Sequence, residues 1–249
     1  MPNTSGPRWL RGVGSQISKT EALTDRLLES SILPAWQRAT SGEPRWPVSV
    51  AIVAALAMQI TLPAQVQLQH AWILPTIGAL LLLAATVRSP SQISEVSTSM
   101  RVVNMVLIGS ITTANIVSAS RLIAHLLDHS LSGGPTTLLR TGGAIWLTNV
   151  ITFALWYWEL DRGGPAARTR GSTTKIDFLF VQMSNPEFAP EDWKPGFVDY
   201  LYLAFTNAAA FGPADVMPLT RWTKLTMMLQ SIISLVTIAL VISRAVGQI

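Results

Sequence analysis

The sequence predicts an all-α integral membrane protein with about five transmembrane helices and one short re-entrant segment. Two of the observations behind this prediction concern composition and helix length. Only 13% of the 249 residues are charged and 49% are hydrophobic, whereas roughly 25% are charged in a soluble domain. Five windows are apolar over a length that can cross about 30 Å of hydrocarbon. A third observation, one apolar stretch too short to cross, predicts the re-entrant segment.

The five windows divide the chain into three regions. They cover residues 47–63, 71–87, 102–127, 142–160 and 225–246. The first two are joined by a short polar link and predict a helical hairpin. We therefore expect an amphipathic N-terminal segment at 1–45, a three-helix membrane region at 46–140, and a last region at 141–249 with its own organisation. The segment after the fourth window, up to Gly196, is largely polar and predicts a loop.

Composition also limits the classes of partner and site. The chain has no cysteine, which excludes disulfides and thiolate metal sites. Its net charge of +4 is small and spread over many loops, so it suits anionic lipid headgroups and gives no nucleic-acid signature. The three histidines offer no third ligand at metal-binding spacing. No cofactor, no metal site and no enzymatic activity are therefore predicted.

The stretch 198–220 is the most informative part of the sequence. Residues 199–211 are apolar and aromatic, but they number about 13 and are too few to span a bilayer as a helix. Non-helical backbone at membrane depth must be buried in protein or line a watery cavity, because unpaired amides in lipid cost several kcal/mol each. A short helix followed by Phe211-Gly212-Pro213-Ala214-Asp215 therefore predicts a loop that dips into the membrane and returns.

This stretch resembles the pore region of potassium channels and related tetrameric pore-loop cation channels. The match lies in Asp215-Val216-Met217-Pro218-Leu219-Thr220, which follows the family pattern of an Asp, two residues and Pro-x-Thr before the inner helix. The resemblance implies a pore helix at about 200–209 and an Asp215 at the pore mouth. It also implies a homotetramer in the cell membrane that conducts K⁺ or Na⁺. The implied selectivity filter consists of Ala210, Phe211, Gly212, Pro213 and Ala214.

The implied filter departs from the family pattern in ways that predict weak selectivity. Ala210 offers no hydroxyl, and Ala214 stands where the family has a second glycine. An alanine at positive φ costs on the order of 1 kcal/mol. Pro213 fixes its own φ and lacks an amide hydrogen. A closed filter that conducts nothing is the alternative.

The last window carries a mostly polar face at helical spacing. Its members are Thr223, Thr226, Gln230, Ser234, Thr237 and Val241. Because this helix follows the predicted pore loop, we expect Thr226, Gln230, Ser234 and Thr237 to line the pore. The alternative is that these small polar groups serve interhelical packing.

Other interpretations stay open from sequence. A membrane transporter, or a non-conducting membrane scaffold with a re-entrant hairpin, would carry the same broken segment. Arg121, His125 and Asp128 lie at helical spacing near the end of the third window, where a pH-sensing role competes with snorkelling or local pairing.

The two guides to membrane orientation disagree. Lys and Arg are frequent before residue 46 and in 161–197, which the positive-inside rule places together in the cytoplasm. The family resemblance implies the opposite sidedness, in which the pore loop enters from outside.

Overall fold

The structure is a computed structural model that describes residues 33–40, 42–67, 73–88, 92–93, 98–128, 134–171, 175–209, 212 and 215–247. Six helices of 12 residues or more make up most of this part of the chain. They are α1 (Trp46–Ile60), α2 (Ile73–Arg88), α3 (Thr98–Leu127), α4 (Pro135–Leu160), α5 (Phe197–Ala208) and α6 (Arg221–Val246). Each of the five predicted windows coincides with one of these helices, and so does the predicted pore helix. The predicted amphipathic stretch at 1–45 is described only from residue 33.

Three of the helices are long and apolar enough to cross a membrane. They are α3 from Arg101 onward, α4 with its continuation to Arg168, and α6. Helices α1 and α2 are also apolar but only 15 and 16 residues long, about 24 Å at most at 1.5 Å per residue. The membrane-protein class is thus supported by three helices, and the predicted count of five is not confirmed.

The described chain is mostly helical rather than strictly all-α, because it contains two short antiparallel strand pairs. Strand β1 (Glu43–Pro44) pairs with β2 (Gln92–Ile93), and β3 (Phe178–Phe180) pairs with β4 (Val216–Pro218). The described residues of segment 161–196 therefore contain more regular structure than the predicted loop. Besides β3 it forms single helical turns at Pro165–Arg168 and Val181–Ser184. These elements were too short for a periodic pattern to indicate them.

Helix α4 is the centre of the bundle and packs against α1, α3, α5 and α6. Its closest neighbour is α6, and the absence of a side chain at Gly142 permits their approach. A Cβ at Gly142 would lie 2.6 Å from a Val241 methyl carbon, which is closer than real contacts allow. The α1–α2 hairpin makes a similar contact, since a Cβ at Gly78 would lie 2.8 Å from Leu56.

The bundle has two distinguishable ends. Both strand pairs lie at one of them, where α4 finishes and where α5 and α6 begin, and we call it the sheet end. The N-terminal segment is held there, since Arg162 donates to the carbonyl oxygen of Trp36 at 3.1 Å. At the opposite end Arg121 donates to the carbonyl oxygen of Gln67, and His125 Nε2 lies 3.3 Å from that of Gln65. Arg121 and His125 therefore contact the α1–α2 link.

Candidate functional site

Helix α5 begins at the sheet end, fixed to the end of α4. The Phe197 ring packs edge-on against Trp158 with centroids 6.2 Å apart. One turn further, the Tyr200 hydroxyl donates to Asp161 Oδ2 at 2.6 Å. The Asp199 carboxylate accepts from the Gly196 amide at 2.7 Å and caps the first turn. The start of α5 is therefore held at a fixed height beside α4.

Asp161 is a fully buried carboxylate that joins three segments at the sheet end. Besides the Tyr200 hydroxyl, it accepts from Arg162 Nε at 3.1 Å and from the Phe178 amide at 3.3 Å. Burial raises the pKa of Tyr200, so the phenol keeps the proton it donates. A buried carboxylate is tolerated only when its charge and lone pairs are satisfied, and here Arg162 supplies the opposite charge.

A second buried ion pair lies next to the first. Arg168 Nε donates to Glu43 Oε1 at 2.7 Å, and the Trp158 indole donates to Glu43 Oε2 at 2.7 Å. Arg168 also donates to the carbonyl oxygens of Trp158 and Asp161. The pair fastens β1 to the end of α4. The run Trp156-Tyr157-Trp158 by itself is typical of an interfacial belt, and nothing local in the sequence links it to Glu43.

The other end of α5 is held by a polar network between α4, α5 and α6. Gln230 is fully buried and is the centre of this network. Its Nε2 donates to the carbonyl oxygen of Ala204 at 2.8 Å. Its Oε1 accepts from the Tyr157 hydroxyl at 2.7 Å and from Asn207 Nδ2 at 2.8 Å. All three of these hydrogen bonds of the Gln230 side chain are thus made within the chain.

Two of the four predicted pore-lining residues, Gln230 and Ser234, bond to side chains of α4. Ser234 accepts from Asn149 Nδ2 at 2.9 Å, and the Thr237 hydroxyl donates to its own helix. Gln230, Ser234 and Thr237 are buried, while Thr226 is half-buried and bonds backbone oxygens of α6. These contacts are the ones expected if the polar residues of α6 serve interhelical packing. None of them tests a role in conduction.

After α5 the chain returns to the sheet end within a few residues. Val216 already pairs with Phe180, and the Val181 amide donates to the carbonyl oxygen of Asp215 at 3.2 Å. Of the predicted filter, Gly212 is described. Its φ of +72° lies in the left-handed region, and its Cα faces open space. The other four filter residues, Ala210, Phe211, Pro213 and Ala214, lie outside the described residues.

The predicted pore-mouth residue Asp215 lies where β4 begins. Its Oδ1 is buried and has no hydrogen-bond partner in the described part of the chain. Asp199, at the start of α5, is near enough to interact with it. Burial, with the Asp215 charge adding to it, raises the pKa of Asp199. Asp199 and Asp215 thus lie at the sheet end, where the chain enters and leaves the 199–215 excursion.

The face of α6 turned away from α4 is apolar and exposed. Next to the end of α5 it includes Met228, Ile232 and Leu235, each more than half exposed. A groove of about 440 Å³ runs between Asn207 and the α6 residues Met228 and Ile232, with Lys224 at its sheet-end side. The buried polar residues Gln230 and Ser234 of α6 face α4 and α5 instead.

Comparisons of this chain with protein-family models, curated proteins and solved structures find no match. Within the described residues, no group of three or more His, Asp or Glu is placed to hold a metal ion. The function therefore has to be argued from the geometry of α4, α5 and α6.

Proposed function

We propose that this chain is the subunit of a tetrameric pore-loop channel for monovalent cations in the cell membrane. The observation that carries the proposal is the path of residues 197–218. The chain enters between α4 and α6 at the sheet end as α5, and it is back at the same end in β4. A re-entrant helix followed by a short return is the arrangement that the family resemblance implied.

The depth of the excursion supports the proposal. Asn207, in the last turn of α5, donates to the carbonyl oxygen of Met227 at 3.0 Å and to Gln230. Gln230 lies nine positions after Arg221, the first residue of α6, or about 14 Å along the helix. This is near the middle of a hydrocarbon layer of about 30 Å. The C-terminal carbonyls of α5 therefore point to mid-membrane, where their partial negative charge favours a cation.

The return segment would supply the ion pathway. The proposed filter is Ala210 to Ala214, with the backbone carbonyls as ligands for K⁺ or Na⁺ and with Asp215 at the mouth. One copy of the segment cannot surround an ion, so four copies around one axis are required. The altered filter positions support weak selectivity between the two ions. Membrane lipid would cover the outward faces of α1, α2 and α3.

The contacts of α6 change which residues we propose for the inner pore. Gln230 and Ser234 bond side chains of α4, and Thr237 is buried as well, so we do not assign these three residues to the shared axis. The arc beside the end of α5 faces outward and carries Met228 and Ile232. In a tetramer this arc is the part of α6 nearest the proposed filter. The inner pore is thus proposed to be apolar, since Thr226 precedes Met228 by two positions, about 200° around the helix, and lies outside this arc as well.

The chain offers a direct test of this assignment, because it has no native cysteine. Single cysteines would be placed at Ile232 and, as the matched site on the same helix, at Ser234. The purified variants would be reconstituted in liposomes with opposed K⁺ and Na⁺ gradients and treated with a charged thiol reagent. We expect weakly selective flux that is blocked in Ile232→Cys and unaffected in Ser234→Cys. Block of Ser234→Cys alone would restore the polar face as the pore lining.

Native mass measurement of the same preparations tests the assembly. A tetramer with flux supports the proposal. A monomer or dimer, together with no flux at any ion gradient, would refute the channel.

The second candidate is a non-conducting membrane scaffold, and one observation favours it. The hydrogen bonds of the Gln230 side chain to α4 and α5 are all made within one chain, so they hold the end of α5 without an ion or a second copy. The experiment above separates the two candidates, since the scaffold predicts no cation flux and no effect of a thiol reagent at Ile232.

A further inference from the structure

Asn207 is the polar side chain of α5 nearest the proposed filter, which begins three positions later at Ala210. It is 6% exposed, and it lies on the face of α5 that is turned into the bundle. The opposite face is apolar and open, since Val198, Tyr202 and Phe205 are each between 47% and 64% exposed. Within the described part of the chain, the end of α5 is therefore held from one side.

The side chain of Asn207 spends both of its amide hydrogens on one turn of α6. Its Nδ2 donates to the carbonyl oxygen of Met227 at 3.0 Å and to Gln230 Oε1 at 2.8 Å. The Ser231 hydroxyl lies 3.2 Å from Asn207 Oδ1 and 3.3 Å from the Asn207 carbonyl oxygen, and it shares its hydrogen between them. A primary amide offers two hydrogens and one acceptor oxygen, so every polar atom of this side chain is in use.

These bonds fix a degree of freedom that apolar packing leaves open. Leu203 and Ala208 bury the same face of α5 in the core, but apolar contact is non-directional, whereas a hydrogen bond requires a defined distance and angle. The other fixed point of α5 is the bond from Tyr200 to Asp161. Asn207 follows Tyr200 by seven positions, which is almost two turns and about 10 Å along the helix. The two anchors therefore share one face and together set both the rotation and the depth of α5.

We propose that Asn207 is the residue that positions the filter of the proposed channel and thereby sets its preference among monovalent cations. The inference rests on the proposed function. Only three positions separate Asn207 from Ala210, so a rotation or tilt of the last turn of α5 is passed on to the proposed filter carbonyls at 210–214. Such carbonyls discriminate between ions by their number and arrangement around the ion. Asn207 itself acts through the filter and is not an ion ligand.

Permeability ratios for Li⁺, Na⁺, K⁺, Rb⁺ and Cs⁺ test the proposal, measured as reversal potentials of the full-length protein in planar bilayers. Asn207→Leu keeps the approximate size of the side chain and removes its polar atoms. We expect the spread between the most and the least permeant ion to narrow at least about threefold toward the ratios of free diffusion. A threefold change converts to about 0.6 kcal/mol, the average strength of one interhelical hydrogen bond.

Ser231→Ala is the milder variant, since it removes the hydroxyl and leaves both amide hydrogens of Asn207 bonded. It should narrow the spread in the same direction by a smaller factor, and it should add little in the Asn207→Leu background, because the two side chains share one contact. Thr206→Val is the matched control. The Thr206 hydroxyl donates to the carbonyl oxygens of Tyr202 and Leu203 within α5 itself, so its loss leaves α6 untouched and should leave the ratios unchanged.

Reversal potentials separate positioning from stability, because they do not depend on how many channels are active. A purely structural role would reduce the amount of folded tetramer and the size of the current at unchanged ratios. Wild-type current with the same ratios in Asn207→Leu and Ser231→Ala would overturn the role of Asn207 and leave the channel standing. An equal change in Thr206→Val, or wild-type ratios that already match free diffusion, would overturn it too. Absence of current from the wild type would remove the channel and this role together.

Discussion

Replacing Gln230 by leucine separates the two interpretations of the polar face of α6. Leucine keeps the shape of the buried side chain approximately and removes its polar atoms. The change breaks three bonds, to Ala204, Tyr157 and Asn207. If the polar face serves packing, Gln230→Leu must therefore lower the free energy of unfolding.

The structure gives a rough size for this loss. Interhelical hydrogen bonds in membrane proteins average about 0.6 kcal/mol, so three of them contribute about 2 kcal/mol. The variant also leaves the Tyr157 hydroxyl and an Asn207 hydrogen without their acceptor, and an unsatisfied buried group costs about 1 to 3 kcal/mol. We therefore expect a loss between about 3 and 5 kcal/mol, counting the penalty for the Tyr157 hydroxyl alone because Asn207 keeps its bond to Met227.

The assay is reversible unfolding of the purified protein in mixed micelles, followed by tryptophan fluorescence. Ser243→Leu is the matched control, since it exchanges a polar for an apolar residue on the exposed face of the same helix; its effect should stay within about 0.5 kcal/mol. Tyr157→Phe completes a double-mutant cycle, in which Tyr157→Phe should cost less in the Gln230→Leu background than in wild type. Unchanged stability of Gln230→Leu, combined with altered conduction, would refute the packing interpretation.

Three further predictions concern the sheet end and the return segment. Glu43→Gln should destabilise the protein by roughly 3 to 5 kcal/mol in the same unfolding assay, because it removes the carboxylate that is ion-paired with the buried Arg168; the exposed Glu187→Gln is its control. Asp161→Asn should increase hydrogen exchange of the β3–β4 pair while the α1–α2 hairpin is unaffected, and equal exchange at both places would count against a local role. Gly212→Ala should cost on the order of 1 kcal/mol, since alanine resists the φ of +72° while no atom obstructs its methyl group; in a conducting protein it should change the K⁺ to Na⁺ permeability ratio, and an unchanged ratio would argue against Gly212 in the filter.

The sequence predicts helices well here because length and apolarity alone define them. Each predicted window falls on a helix, including the short one at Phe197–Ala208. The polar face of α6 was also visible, since Gln230 and Ser234 recur at helical spacing. What the face contacts was not visible, because periodicity gives the direction of side chains relative to one another and not their neighbours in space.

The buried ion pairs at the sheet end were missed for a related reason. Glu43 and Arg168 are 125 positions apart, and no local pattern links them. An acidic residue beside an aromatic run also looks like an ordinary membrane boundary. The one signal available was the cluster of charges directly after Trp158, which exceeds what a boundary needs. Strand β3 was missed because three residues cannot show an alternating pattern.

These buried arginines bear on the conflict over membrane orientation. The positive-inside rule placed the sheet end in the cytoplasm because 1–45 and 161–197 are rich in Lys and Arg. Arg45, Arg162 and Arg168 are buried in the fold, and the last two have carboxylate partners. These three arginines have a structural role on either side of the membrane, so they are weak evidence for sidedness.

Removing these three from the count weakens the case for a cytoplasmic sheet end without reversing it, because Lys and Arg remain more frequent in 1–45 and 161–197 than at the opposite end. In the orientation that the family resemblance implies, the sheet end faces outside, and α6, which runs from the sheet end to the opposite end, finishes in the cytoplasm. We expect a reporter fused after Arg244 to be active only in its cytoplasmic form, and one inserted at Glu187, on the exposed part of the 161–196 segment, only in its external form. The reverse pattern at both positions would place the proposed filter at the cytoplasmic side. That result would contradict the sidedness that the family resemblance implies, whatever the oligomeric state.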